Sequence, residues 1–374
     1  MLFNHRHVSP LRHLMHHRPR HRTHGQAQQG IALLSAMLVV ALCATIAIGL
    51  TVDSQLNTRR ATNMMVSDKT YLYTILAENV AVHYLHLDIA SQQNSDTPQS
   101  DSFSLTEQWA TCDLAFPLEG EPAFLEGRIV DLQGKFNLNN LAAVAPAVPG
   151  NGNNPAAASP WLAIFKRLLN EHNLPDNLAE PVVDWIDENS QPLGVDGAED
   201  EYYLGLEKPY RTPNTGLMSS ISELALVKGF YELMQNPETQ PNVAAFMDDV
   251  TVLPTNSSTI NINTASLTLL NAISDSARYN ALRGYENRPN DCAAENPRQG
   301  TPYDNVSDYL EDTGAQTNTE QLVSALGVQS QYFLVEAESR FQNSQARSVL
   351  RSMIYRDNTR DGVARVIQRS RGTL

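Results

Sequence analysis

The sequence predicts an α+β fold in which a long N-terminal helix packs on an antiparallel sheet and a large all-α insert lies between the strands. Three observations predict this fold. Residues 53–91 contain neither proline nor glycine, which favours an uninterrupted helix. Residues 161–235 repeat apolar positions at helical spacing, and the segments after residue 327 have the pattern of strands. Strands on both sides of a helical segment can share one sheet, so the helical segment is an excursion from a smaller core.

The N-terminal 30 residues form a basic leader that ends at Gly30. This leader holds five Arg residues, no Asp or Glu, and seven of the ten His residues. We interpret it as a solvated flank that stays in the cytoplasm. Residues 31–52 follow as an uncharged apolar run. At about 1.5 Å per residue this run reaches roughly 33 Å, enough to cross a bilayer and leave the remaining chain outside.

The junction between Gly30 and Ile31 allows three interpretations. An ordinary secretory signal has a shorter apolar region with a small-residue cleavage site after it. A prepilin-type leader is cut after Gly30 on the cytoplasmic side, which explains why the charge break and the start of the apolar run coincide. An uncut signal anchor is the third interpretation and stays open. A lipoprotein signal is disfavoured because Leu42, which is not small, precedes Cys43.

Charge and motif content restrict the functional classes. Without the leader, 22 basic residues stand against 41 acidic ones, and the resulting net charge of −19 repels nucleic acid and anionic headgroups. The sequence contains no nucleophile elbow, phosphate loop or zinc signature. Paired carboxylates such as Asp184 and Asp187 are the enzyme alternative. Since no substrate groove is indicated, we expect a protein that is not an enzyme.

Residues 53–95 are expected to continue the helix beyond the membrane run. Its second half should be amphipathic, with a packing face built from three- and four-residue steps. The residues of this predicted face are Leu72, Ile75, Leu76, Asn79, Val80 and His83. Residues 103–136 should begin the core, with two short strands around a turn in 123–136. Ile129, Val130 and Phe136 are the core candidates there.

Residues 137–326 form the predicted helical insert. Ser220 lies three residues before Glu223, which is the spacing of a capping box that starts a helix. Further helices are expected at 265–273, 304–312 and 319–326.

Two segments of the insert resemble each other. GKFNLNNL (134–141) and STININTASL (258–267) both place Asn, an apolar residue and Asn before a helix. Asn139 and Asn263 are therefore candidate helix caps. This repeated pattern predicts two related helical subunits within the insert.

Residues 327–374 are expected to supply the strands that complete the core. Eight Arg and two Asp lie in 340–374. These Arg residues either line the wet face of the sheet or form a docking surface for an acidic partner.

An acidic loop follows the first helices of the insert. Eleven carboxylates and no Lys or Arg lie between Leu168 and Glu207. Crowded hard oxygen ligands in a loop containing Gly and Pro suit Ca²⁺. The predicted ligands are Asp187, Asn189, Asp196, Glu199 and Asp200. The spacing is not that of an EF-hand, and a solvated acidic loop is an equal alternative from spacing alone.

Cysteine usage adds one open question. Cys43 lies in the apolar run, and we interpret it as a small apolar residue of that run. Cys112 and Cys292 would both face an oxidising compartment, where a disulfide can persist. The sequence leaves open whether they form one.

Residues 260–273, ININTASLTLLNAI, resemble the opening of helix-hairpin-helix modules that bind DNA. Such modules continue into a glycine-rich hairpin, which the following residues lack. A DNA-binding protein tethered to the membrane is therefore the alternative function, and we expect no nucleic-acid partner.

Taken together, the motifs resemble the minor pseudopilin K family of bacterial type II secretion, also called general secretion pathway protein K. The resemblance covers nearly all of the chain after residue 26. It rests on the Gly30–Ile31 junction and on DLQGKFNLNNL, VDWIDENSQPLGVDGAEDEYY, PNTGLMSSISELALVKG, INTASLTLL, SQYFLV, VLRSMIYR and ARVIQRSRG.

The resemblance implies a pilin-like helix and sheet in the bacterial inner membrane, with the main body in the periplasm. Prepilin peptidase would cut between Gly30 and Ile31, and the new amine of Ile31 would be methylated. The acidic loop would bind calcium. The protein would form a tip complex with the minor pseudopilins I and J, on a filament of the major pseudopilin G.

Ser35 is a further residue on which the resemblance bears. Most pilins have Glu as the fifth residue of the mature chain, where its carboxylate pairs with a neighbour's N-terminal amine because a lone buried charge is costly. Counted from Ile31, the fifth residue is Ser35. A subunit with nothing stacked above it has no such amine to neutralise, which fits the topmost position. A small residue that a membrane helix tolerates is the other explanation.

Overall fold

The computed structural model describes most of the chain after the leader. It describes residues 26–93, 102–105, 107–110, 114–117, 123–144, 159–213, 216–273, 302–313, 320–341, 346–357 and 363–371. The chain divides after Met64 into two compact units, and each is described by itself.

The described residues form helices and strands in the following order along the chain. The helices are α1 (Gln26–Gln93), α2 (Pro160–Glu171), α3 (Ala179–Ile186), α4 (Asp200–Leu204), α5 (Phe230–Gln235), α6 (Gln240–Asp249), α7 (Leu267–Ile273), α8 (Val306–Thr313) and α9 (Glu320–Ala325). The strands are β1 (Leu114–Pro117), β2 (Ala123–Asp131), β3 (Phe136–Asn137), β4 (Val250–Thr251), β5 (Ile260–Asn261), β6 (Leu326–Gly327), β7 (Tyr332–Phe341), β8 (Arg347–Arg356) and β9 (Ala364–Ser370).

The first unit contains the part of α1 that precedes Met65. Its side chains are exposed from Gly30 onward, including the whole apolar run 31–52. Among the described residues, α1 is the one helix whose length and composition suit a membrane span. An exposed apolar helix of this length is stable in hydrocarbon because all its backbone groups are paired within the helix.

The second unit is organised by a five-stranded antiparallel sheet. Its strand order is β1-β2-β7-β8-β9. The chain leaves the sheet after β2 and returns at β7, so the helical insert lies between two adjacent strands. This arrangement confirms the predicted α+β class, a long helix with an antiparallel sheet and additional helices.

Residues 123–136 differ from the prediction. Ala123–Asp131 is one nine-residue strand and not two short strands around a turn. It stays extended because β1 pairs with one of its edges and β7 pairs with the other along its whole length. Phe136 is fully buried, whereas Ile129 and Val130 are half-buried.

Within the second unit, α1 packs on the sheet through a different face from the predicted one. The buried positions are Thr70, Thr74, Glu78, Ala81 and Leu85, whereas Leu72, Leu76, Asn79 and His83 are exposed and Ile75 and Val80 are only half-buried. The predicted stripe is wrong because the helix buries small and polar side chains that the sheet satisfies. The Ser339 hydroxyl donates to the Thr70 carbonyl over 2.6 Å.

Glu78 forms the central polar contact of this helix–sheet interface. Its carboxylate is fully buried, and Arg369 of β9 binds both of its oxygens at 2.7 and 2.8 Å. Ser352 of β8 also donates to it. A buried carboxylate is tolerated only with such partners, so the pair holds the edge strand β9 to the helix.

The opposite sheet face carries cross-strand ion pairs. Glu336 binds both Arg128 and Arg351, the latter at 2.7 Å. Glu338 binds Arg347 at 2.6 Å. These contacts favour the wet-face interpretation for Arg347 and Arg351, whereas Arg369 binds the buried Glu78 and Arg356 is itself buried. Partly exposed pairs of this kind add little stability each.

The insert contains the largest apolar core of the second unit, from Phe136 to Leu326. Two Asn modules repeat within it. In the first, Asn139 exchanges two hydrogen bonds with the backbone of Met218, at 2.8 and 3.0 Å. In the second, Asn263 does the same with Tyr303, at 2.8 and 2.9 Å.

The surroundings of the two Asn modules correspond as well. Each starts with a two-residue strand that pairs in parallel with a strand from the end of the same module, β3 with β4 and β5 with β6. Each has a capped turn after its backbone partner: Ser220 with Glu223 is the predicted capping box, and Asn305 with Asp308 is its counterpart. The repeated sequence pattern therefore corresponds to two similar substructures.

Asn139 and Asn263 are not the caps that the sequence predicts. The preceding residues Asn137 and Asn261 accept the N–H groups of Asn139 and Asn263 at 3.2 and 3.0 Å. Asn139 and Asn263 instead pair with distant backbone, because a side-chain amide matches a peptide group in both donor and acceptor. Ser266 caps the turn into α7, accepting from the N–H of Leu269.

Candidate metal site

Three carboxylates meet where the loop between α3 and α4 begins and ends. One ligand atom from each of Asp184, Asp187 and Glu199 lies within 4.8 Å of the other two. Asp184 is in the last turn of α3, Asp187 is its C-terminal cap, and Glu199 is the N-terminal cap of α4. The C-terminal end of a helix carries partial negative charge, which adds to the attraction for a cation.

Asp184 folds the loop around the cluster. Its two oxygens accept the backbone N–H groups of Leu193 at 2.9 Å and Ala198 at 2.6 Å. A Cβ at Gly197 would lie 2.3 Å from the Asp184 carboxylate and 2.6 Å from the backbone N of Leu193. Glycine is therefore required at this close approach.

Glu199 is the least satisfied carboxylate of the cluster. It is 5% exposed, and its Oε1 finds no hydrogen-bond donor among the described residues. Burial, with Asp184 and Asp187 next in effect, raises the pKa of Glu199 to about 8. Burial likewise raises the pKa of Asp184 and of Asp187 to about 6. Like charges in a desolvated site oppose ionisation, and a cation would relieve this opposition.

A second group of contacts holds the outer part of the loop. Glu180 accepts the backbone N–H of Asp196 at 3.1 Å and pairs with Lys166 at 3.2 Å. Lys228 donates to the Asp196 carbonyl at 2.9 Å. Gly194 has a φ of +69° and abuts Glu180, so residues 194–196 are held by Glu180 and Lys228.

The predicted ligands divide into two groups. Asp187 and Glu199 belong to the cluster. Asn189 donates its amide to Asp187 at 2.7 Å, and Asp196 is held through its backbone. Asp200 is bound by Arg211 at 2.8 Å and by the backbone N–H of Thr212, which lowers its pKa. Asp200 is thus engaged in an ion pair outside the cluster.

Asp184 was not among the predicted calcium ligands, yet it is the most buried member of the cluster at 1% exposure. The spacing of Asp184 and Asp187 in the sequence could have identified it. Asp184 and Asp187 are three residues apart at a helix end and so lie on one side of it. The donor set of three carboxylates suits a hard divalent cation such as Ca²⁺ or Mg²⁺.

The remaining site predictions lie outside this cluster. Gly30 and Ile31 are consecutive residues of α1 and are exposed. The Ser35 hydroxyl donates to the Ala32 carbonyl at 2.9 Å, as Ser does inside helices. Cys43 is exposed in the apolar run. Cys112 and Cys292, whose pairing the sequence leaves open, fall outside the described residues.

These features define a pilin-like protein, with an N-terminal helix suited to the membrane, an antiparallel sheet and a helical insert. The comparisons with known proteins specify the family. Residues 134–247 match the family model of type II secretion system protein K. The chain is 30% identical to type II secretion system protein K of Aeromonas hydrophila over 242 residues, 63% of this chain and 67% of that protein. It belongs to the type II secretion system protein K family, a family of minor pseudopilins.

Two further comparisons extend over more of the chain. Type II secretion system protein K of Pseudomonas aeruginosa is 28% identical over 348 residues, which is 93% of this chain and 94% of that protein. A chain of the crystal structure of the GspK–GspI–GspJ complex from enterotoxigenic Escherichia coli superposes with a TM-score of 0.59 and 22% identity. That match covers 84% of this chain and 100% of the other, and it supports the fold.

Proposed function

We propose that this protein caps the tip of the periplasmic pseudopilus and supports its assembly for protein export. The observation that carries the proposal is the insert: about half the chain, residues 137–326, leaves the pilin-like sheet between β2 and β7. A body of this bulk obstructs the addition of another subunit above it. Ser35 agrees, because it offers no carboxylate for the amine of a subunit stacked above.

The proposed partners are the minor pseudopilins I and J, on a filament of the major pseudopilin G. The solved structural neighbour was crystallised in a complex with GspI and GspJ, and this chain has its fold. The face of α1 that turns away from the sheet also exposes Leu72 and Leu76 by 63% and 45%. Exposed apolar side chains one helical turn apart are suited to packing against another helix.

Co-purification of the full-length chain with tagged I and J pseudopilins tests this partnership. We expect Leu72→Ser with Leu76→Ser to reduce recovery of the complex severalfold. Asn79→Ser is the matched control, because Asn79 is exposed on the same helix and contributes no apolar area. Full recovery with the double variant would remove α1 from the interface, and failure of the wild-type chain to recover I or J would contradict the tip complex.

The proposed topology places the leader in the cytoplasm and the second unit in the periplasm of a bacterium, with α1 crossing the inner membrane. We expect prepilin peptidase to cut after Gly30 and the amine of Ile31 to be methylated. N-terminal sequencing and mass measurement of the protein from membranes should therefore give methylated Ile31. Gly30→Leu should leave the precursor intact. An intact Met1 start in the wild-type protein would contradict processing.

The acidic cluster is proposed to hold calcium, with Asp184, Asp187 and Glu199 as ligands. The unpaired, buried Oε1 of Glu199 supports this, since such a group costs free energy until a partner is supplied. Calcium would supply positive charge that lets the three carboxylates ionise together and so hold the loop closed. Direct titration of the metal-free protein with calcium, and with magnesium as the competing ion, tests this assignment.

A further inference from the structure

A pocket lies between the sheet and the insert, and none of its lining residues belongs to the acidic cluster. Its volume is about 290 Å³, just below the range of about 300–1,000 Å³ typical of small-molecule sites. Leu334 and Met353 line it from the sheet, and Ile221, Met247 and Val252 line it from the insert. The walls are therefore mainly apolar and can desolvate a short hydrocarbon chain.

Lys135 places a cation in the wall of this pocket. Its side chain is half-buried, and in the part of the chain that the structure describes its ammonium makes no ion pair and no hydrogen bond. Three acidic groups attract it. Asp248 has the largest effect, and the other two are already engaged: His172 binds Asp249 at 2.8 Å, and two arginines bind Glu336. Burial lowers the pKa of Lys135, as expected for an ammonium that lacks a partner.

Two other charged residues line the pocket and limit what it accepts. The Arg351 guanidinium adds positive charge, although it already binds Glu336. The exposed carboxylate of Asp248 adds negative charge to the same wall. A single anionic group beside Lys135 is therefore favoured, whereas a second anionic group would meet Asp248.

We propose that this pocket binds a monocarboxylate with a short apolar chain, its carboxylate on the Lys135 ammonium and its chain against Met247, Val252 and Met353. Pairing compensates the desolvation of the lysine, and the apolar walls remove the chain from water. A free short-chain fatty acid and the C-terminal residue of a polypeptide with an apolar last side chain both have this chemistry. The proposal does not depend on the tip-capping function.

Ligand-observed NMR on the full-length chain in lipid nanodiscs tests the proposal. The probes are octanoate, N-acetyl-leucine and octanol, and empty nanodiscs correct for partition into lipid. We expect both acids to bind saturably and at least one to bind about tenfold more tightly than octanol, since a hydrogen bond between two charged groups is stronger than one to a neutral hydroxyl. Acids that bind no more tightly than octanol would overturn the proposal.

Variants assign the binding to the pocket. Lys135→Met should weaken the acids at least about tenfold and leave octanol within about twofold, while Lys135→Arg should retain acid binding. Met247→Trp should remove all three probes by filling the pocket. Lys208→Met is the control, because Lys208 is exposed and does not line the pocket. Unchanged acid binding in Lys135→Met would contradict the assignment, whatever the behaviour of the other variants.

The two acids distinguish the source of the ligand. Tighter binding of octanoate indicates a free acyl chain, and tighter binding of N-acetyl-leucine indicates a polypeptide C terminus. Comparable affinities support the shared chemistry.

Discussion

The two Asn modules share one set of contacts but differ in what lies between their paired residues. Asn139 and Met218 are 79 residues apart, whereas Asn263 and Tyr303 are 40 apart. The longer interval contains eleven carboxylates and four basic residues, and the shorter contains four of each. The comparison shows that an acidic loop was accommodated in the first module without altering the contacts that define it. Metal dependence should therefore be confined to the first module.

Removal of calcium should have the largest effect on stability, and it should affect the first module but not the second. A ligand at 1,000 times its Kd stabilises the folded state by about 4 kcal/mol, and chelation removes this contribution. Hydrogen exchange followed by mass spectrometry should show faster exchange in α3 and α4 after chelation. Exchange in α7 and α8 should stay unchanged. Equal acceleration in both modules, or in neither, would contradict a calcium site confined to the first.

Asn139→Ala and Asn263→Ala should have the next largest effect on the free energy of unfolding. The two variants remove corresponding side chains of the two modules. Each leaves one N–H and one carbonyl of Met218 or Tyr303 without its partner, at a cost of about 2–4 kcal/mol. Asn139→Ala also removes the hydrogen bond that the Asn139 amide donates to the Leu253 carbonyl at 2.7 Å. Denaturant unfolding of the metal-free protein should show a loss of stability in both variants, somewhat larger in Asn139→Ala. Calcium affinity should fall only in Asn139→Ala, because that contact closes the interval containing the loop. An equal fall in Asn263→Ala would break the distinction.

The effect of Glu199→Gln on thermal stability should have opposite signs in the calcium-loaded and the metal-free protein. In the calcium-loaded protein the variant loses a ligand, so it should be less stable than the wild type. In the metal-free protein at pH 8 it removes a carboxylate whose ionisation burial opposes, so it should be more stable. Thermal melts in calcium and in EDTA measure both signs. Glu238→Gln, at an exposed position outside the loop, should change neither melt.

The stability of the metal-free protein should also depend on pH, and the sign of this dependence is the prediction. The pKa values of Glu199, Asp184 and Asp187 are raised in the folded state, so the folded protein binds more protons than the unfolded chain between about pH 4 and 8. Stability should therefore fall as pH rises through this range. Calcium should reverse the trend, because it binds the ionised carboxylates more tightly as pH rises. Melts at pH 5 and pH 8, with and without calcium, measure the reversal.

The sequence identified the loop that contains the candidate site, but not which of its carboxylates converge. The density of carboxylates between Leu168 and Glu207 identified the loop, and two predicted ligands, Asp187 and Glu199, lie in the cluster. Asp200 looked equivalent to Glu199 in the sequence. It differs because Arg211 and Thr212, eleven and twelve residues later, fold back onto it.

The face of α1 could not be predicted for a related reason. Apolar periodicity identifies a buried stripe only when the partner surface is apolar. Here the sheet supplies Ser339, Ser352 and Arg369, so Thr74 and Glu78 are buried while Leu72 remains exposed. The matching polar groups come from strands more than 250 residues away, and no local pattern reports them.

The amino-acid order alone identified the features that depend on near neighbours: the basic leader, the apolar run of 31–52, the Ser220–Glu223 cap, the alternating strands and the repeated Asn segments. These follow from helix and strand periodicity and from turn chemistry within a few residues. Tertiary structure alone decided which helix face is buried, which carboxylates converge, what Asn139 and Asn263 bind, and that Lys135 faces a pocket. Each of these depends on which distant groups become neighbours once the chain is desolvated, because burial turns an unpaired polar group from a neutral feature into a costly one.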